Sequence, residues 1–138
     1  MMEDLRCPFR QVLLPGDFAC RHAEVVTRRE GPDIACHASE THGRCGEVLA
    51  RLKEVGLPAL GHTDDLTELP HGVAMKVQMG GLLGLQRLLD PGASASGVVG
   101  DVGALVGQAV ARYVSSASVP YEDLVPAMAA YQLKRRRR

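Results

Sequence analysis

The residues of this chain best suited to chemistry are four cysteines, Cys7, Cys20, Cys36 and Cys45, all in its first third. No cysteine follows residue 45. A cysteine can be a nucleophile, a disulfide partner, a metal ligand or a small core residue. Four gathered in the polar, broken part of a chain, with none in its apolar segments, argue against simple core filling. The start, Met1-Met2-Glu3-Asp4, is acidic and lacks an apolar segment, so no secretory signal is read. The expected compartment is a reducing cytoplasm, where structural disulfides are disfavoured. A metal or iron–sulfur site is therefore expected at Cys7, Cys20, Cys36 and Cys45.

The spacing is Cys-x12-Cys-x15-Cys-x8-Cys. Structural zinc sites draw ligands from close pairs on a knuckle, and no such pair exists here. The compact ferredoxin spacing is absent too. Cluster ligands can come from separated loops, because each iron needs one thiolate and the cluster bridges them. Four thiolates match a [4Fe–4S] or a [2Fe–2S] cluster, and [4Fe–4S] is the expected type. The Cys7-Pro8 step resembles one common in cluster-binding loops. Zinc, buried free thiols and disulfides in any of three pairings remain the alternatives.

Three histidines, His22, His37 and His42, stand among the cysteines. Any of them could replace a thiolate, or hydrogen-bond a sulfur and tune its potential. The plainer reading is exposed loop residues, as for His62 and His71. Arg21, Arg28 and Arg29 could offset the negative charge of a ligated cluster, or simply form a solvated face. No catalytic residue is assigned. A thiol enzyme would need one cysteine singled out beside a base, and nothing singles one out. No phosphate loop, dinucleotide fingerprint or Ser-His-Asp order is visible.

The elements that position the cysteines follow from periodicity. Val48, Leu49, Leu52 and Val55 predict a helix over 43–55, with Gly56 as its left-handed cap, Pro58 as its stop and Cys45 in its first turn. An anionic sulfur there would gain from the helix dipole. Residues 21–35 read equally as one short helix or one short strand before a Gly31-Pro32 break. Residues 57–70 read as a connector, in which Thr63 or Asp64 could cap a short turn and Pro70 open the next helix. Residues 71–89 alternate like a strand at first and then become helical, and length favours one helix. Gly80, Gly81 and Gly84 would share one side of it, tolerable where another backbone or a cluster-bearing loop packs closely. A helix over 98–114 carries the stripe Val102, Leu105, Val106, Ala109 and Val110. A last one opens at Val119-Pro120 and buries Leu124, Met128 and Tyr131.

The composition is 46% apolar with only 4% aromatic and no Trp, so Leu, Val, Ala and Met must build the core. That palette favours packed helices. The expected fold is mainly α: one small helical domain with an irregular cysteine-rich N-terminal third. Residues 1–56 would be the cluster-binding part, 57–133 the helical scaffold and 134–138 a basic tail. No apolar run approaches the about 20 residues of a membrane span.

Net charge is zero, but Lys134-Arg135-Arg136-Arg137-Arg138 supplies five of the 16 basic residues, leaving 11 against 16 acidic ones in the body. That balance argues against nucleic acid as a partner except through the tail, which is otherwise read as a frayed terminus.

The stretches Phe18-Ala19-Cys20, Ala35-Cys36-His37, His42-Gly43-Arg44-Cys45 and Lys76-Val77-Gln78-Met79-Gly80-Gly81-Leu82 resemble a group of small bacterial proteins with four spaced cysteines and a Lys-x-Gln-x-Gly-Gly segment. The resemblance covers most of the chain. It implies an iron–sulfur type site at the four cysteines and no particular activity. The expectation is a cluster-binding protein acting in one-electron transfer to a protein redox partner, or in redox sensing. The competing expectation is an interaction module with a structural zinc or cluster, docking through its basic tail or glycine face.

Overall fold

A computed structural model describes residues 5–16, 18–61, 71–92 and 97–132. The fold is mainly α, with a small three-stranded sheet at its N-terminal end. The chain opens with β1 (Leu5–Arg6) and a single helical turn, α1 (Arg10–Leu13). A hairpin follows, β2 (Ala23–Arg28) and β3 (Gly31–Cys36), joined through Arg29 and Glu30. The order is β1-β3-β2, antiparallel throughout.

The two readings left open for 21–35 thus give way to a pair of strands. Ala-Glu-Val-Val-Thr-Arg is rich in β-branched residues. The Gly31-Pro32 pair starts a strand rather than breaking one. Gly31 takes φ +123 at the hairpin corner, and Pro32 lies beyond the reach of β1, which pairs only with Ala35 and Cys36.

Helix α2 (Ser39–Ala59) is longer at both ends than periodicity predicts. It starts straight after the extended residue Ala38, with Glu40 suiting the dipole in its first turn. Gly56 is not its cap, for it lies inside the helix, packed near Met128. Pro58 does not stop it, because so close to the C-terminus the lost N–H costs little. The left-handed residue is Gly61, at φ +89, whose N–H donates to the Pro58 carbonyl at 3.0 Å. Residues 62–70, including Thr63, Asp64 and Pro70, lie outside the described residues, as does the tail Lys134–Arg138.

Residues 71–89 are helical throughout: α3 (His71–Met75), a π-helical stretch over Lys76–Gly80, and α4 (Gly81–Leu89). Another backbone does pack against the glycines. A Cβ on Gly80 would sit 2.6 Å from the Met128 Cα and 2.8 Å from the Ala127 carbonyl oxygen. Met128 belongs to α6 (Val125–Ala130), which follows two 3-10 turns, Ser116–Ser118 and Tyr121–Leu124.

Helix α5 (Val102–Tyr113) starts four residues later than the range 98–114 that the sequence predicts. The Asp101 carboxylate accepts from the Ala104 N–H at 3.2 Å and caps it. The residues before it are engaged elsewhere: the Ala19 N–H donates to the Val99 carbonyl at 3.1 Å, and the Val102 N–H to the Ala19 carbonyl at 2.8 Å. Those two bonds tie the Cys20 segment to the start of α5. A single apolar core runs from Phe9, Val12 and Ile34 through Val48 and Leu52 to Leu82, Val106 and Met128. Among the described residues, no helix is long and apolar enough to cross a membrane.

Candidate metal centre

Each cysteine is held by a different element. Cys7 follows β1, and its N–H donates to the Ile34 carbonyl at 2.9 Å. Cys20 sits in the segment tied to α5. Cys36 ends the central strand β3, and its thiol donates to the Ala38 carbonyl at 3.5 Å. Cys45 lies in the second turn of α2, on the inward face with Val48 and Leu52. The helix-start position expected for Cys45 is therefore corrected: α2 begins at Ser39, and the free amides of its first turn are too far back to serve this sulfur. Cys7, Cys36 and Cys45 are buried, Cys20 is half-buried, and all four are unbridged.

The four thiols converge electrostatically. Burial pushes the Cys45 thiol up to about 12, with Cys7, Cys20 and Cys36 adding to the rise. Burial likewise lifts Cys7 to about 11, against the Phe9 N–H that its sulfur accepts, with Cys36 and Cys20 adding further. Cys20 is raised by burial too, although its sulfur accepts the N–H groups of His22 and Gly103. Without a cation, the raised Cys7, Cys20 and Cys45 thiols are therefore neutral at neutral pH. Neutral thiols are poor nucleophiles, and a bound metal would displace their protons.

Three backbone N–H groups thus aim at two of the sulfurs, from Phe9, His22 and Gly103. The Gly103 contact needs glycine. A Cβ there would lie 3.0 Å from the Cys20 sulfur and 3.0 Å from Thr41 Cγ2. Gly103 is in the first turn of α5, so the helix start that faces a sulfur is that of α5 at Cys20.

The nearby polar residues sort differently from expectation. The His37 Nε2 is paired with Glu24, and the His42 Nε2 lies 3.0 Å from the Arg6 carbonyl. Of the three histidines, His22 is the one beside the Cys20 and Gly103 contact. Arg21 bonds Asp101 at 2.8 Å and Arg28 bonds Asp33 at 2.7 Å. The cations that lower the thiols are Arg10 at Cys7 and Arg44 at Cys45. Sequence reasoning missed both, though Arg44 adjoins Cys45 and Arg10 is three residues beyond Cys7. Phe9 and Gly103 carried no signal, because their contribution is a backbone N–H.

Among the described residues, no group of three or more His, Cys, Asp or Glu side chains stands close enough to hold a single metal ion. A tetrahedral zinc needs its sulfurs about 2.3 Å from one centre. An iron–sulfur cluster holds its thiolates farther apart, one on each iron. In chemistry the donor set is one such a cluster uses: four cysteines, two on loops, one on a strand and one on a helix, with N–H donors on two sulfurs and two guanidiniums nearby. Comparison with known protein families, curated proteins and solved structures gave no match to this chain.

Proposed function

We propose that this chain is an iron–sulfur protein in which Cys7, Cys20, Cys36 and Cys45 hold one cluster, of the [4Fe–4S] type. The observation that carries the reading is the convergence of the four cysteines, each raising the cost of ionising Cys45. A bound cluster would supply reversible one-electron chemistry. The Phe9, His22 and Gly103 N–H groups would orient the Cys7 and Cys20 sulfurs and favour their anionic form. Arg10 and Arg44 would offset part of the added negative charge, while the apolar core around Cys7 and Cys45 keeps water away.

The proposed role is electron transfer with a protein partner, or redox sensing, and not catalysis. Four unbridged thiols fit a reducing compartment such as the cytoplasm. The resemblance to small four-cysteine bacterial proteins belongs to the same proposal.

The test is anaerobic reconstitution with iron and sulfide of the wild-type chain and of Cys7→Ser, Cys20→Ser, Cys36→Ser and Cys45→Ser. Each replacement is expected to lower retained iron. Four variants that all keep wild-type iron would sink the reading. A redox titration then divides the two roles: a carrier cycles reversibly without unfolding, and a sensor loses its cluster and loosens the first third.

A further inference from the structure

On the other side of the sheet, a second polar centre is built around Asp33. Strand alternation sets Arg6 and Asp33 on the face opposite Cys7 and Cys36. Asp33 is buried, at 6% exposure. The Ile34 N–H donates to its Oδ1 at 2.8 Å, and three arginines surround it. The Arg6 Nε lies 2.8 Å from Oδ2, the Arg28 Nε 2.7 Å from Oδ2, and the Arg10 Nε 3.7 Å from Oδ1. Burial would raise this carboxyl, but the Ile34 N–H and the arginines hold it below the usual range. It is an anion at neutral pH, with both oxygens occupied.

All three guanidiniums approach Asp33 through Nε. The Arg28 Nη2 is buried and has no hydrogen-bond partner. Buried donors are rarely left so. These groups line a groove of about 370 Å3 that also includes Leu14 and Glu30. Three positive charges against two negative ones leave the groove cationic. Asp33 preorganises the arginines without exhausting their donors.

We propose that this groove binds a small phosphate-bearing anion, with Arg6, Arg10 and Arg28 as its ligands. A tetrahedral oxyanion can accept at once from guanidiniums carried by β1, α1 and β2. A planar carboxylate offers only two oxygens. The site works in the metal-free chain and shares only Arg10 with the thiol centre.

The test is titration of the full chain with inorganic phosphate at constant ionic strength, read from backbone amide shifts, with succinate as comparator. Saturable shifts centred on Arg6, Arg10, Arg28 and Gly31 are expected. Arg10→Gln and Arg28→Lys should each weaken binding about tenfold or more, the worth of one charge-assisted hydrogen bond. Arg10 is the more exposed of the two, at 39% for its side chain. Its variant answers the question even where Arg28→Lys fails to fold. A linear response, shifts only elsewhere in the chain, or unchanged affinity in Arg10→Gln would overturn the site. Equal affinity for succinate would overturn the phosphate assignment.

Discussion

The two ends of this molecule are held by different physics. In the helical end, the π-helical stretch leading into α4 meets α6 at Gly80 so closely that no side chain fits between them, and Leu82, Leu85, Leu124 and Met128 are fully buried. In the hairpin end, short strands and loops are tied by a few backbone bonds. Their interior is lined by thiols on one face and by an Asp33–arginine network on the other. Apolar burial stabilises the first end without help. The second gathers groups that gain from a partner they do not supply to one another.

The sharpest way to break that contrast is Gly80→Ala. The new methyl would lie 2.6 Å from a backbone atom of α6, where no flexible side chain can yield. A loss of about 3 kcal/mol is expected from overpacking, measured by urea unfolding. A loss well under about 1 kcal/mol would mean that the π-helical stretch and α6 are not locked together.

A helix-cap change probes the seam between the two ends. Asp101→Ala removes the bond to the Ala104 N–H and the Arg21 pair. A cost of about 1 kcal/mol is expected, nearly all from the cap, because the ion pair is exposed. A larger loss, with Cys20 newly reactive, would show that the cap also holds the cysteine segment.

The thiols should make the hairpin end sensitive to alkali. Cys7 and Cys45 ionise in the folded, metal-free chain at about 11 and about 12, against 9.0 when free. Their folded values are raised, so the unfolded chain loses protons first. The stability they contribute is complete below about pH 9 and is lost as pH rises through about 11 to 12. The urea midpoint should fall between about pH 8 and about pH 10, with a flatter slope in Cys45→Ala. Equal slopes would contradict the burial of that thiol.

A smaller effect concerns the order of thiol reactivity. Cys20 is half-buried and the others are buried. Iodoacetamide should therefore modify Cys20 first in the native metal-free chain, with Cys7 and Cys45 slower by on the order of tenfold. Mass mapping of the first adduct checks this. Cys45 reacting first would overturn its placement on the inward face of α2.

Much of the scaffold was legible because long helices advertise themselves. The stripe Val48, Leu52 marked α2, and Val102, Leu105, Val106 marked α5. The glycines of 80–84 pointed to a close backbone neighbour, though not to Met128. Helix ends were misread where tertiary contacts decide them. Gly56 resembles a cap but accommodates Met128, and Val98–Gly100 could extend α5 but is engaged beside Ala19. The hairpin was hidden because Gly31-Pro32 reads as a breaker until β1 is known to stop short of it. The cysteines were visible as a set, but their environment was not. Arg10, Arg44 and the Phe9 and Gly103 amides reach the sulfurs through space, by routes that no spacing encodes.

The central claim is that the four convergent thiols hold an iron–sulfur cluster. The most direct test is the visible absorption of protein purified without oxygen, with iron, sulfide and zinc assayed on the same sample. A broad thiolate-to-iron charge-transfer band with iron and sulfide in matching amounts is the predicted result. A colourless protein carrying stoichiometric zinc would contradict it.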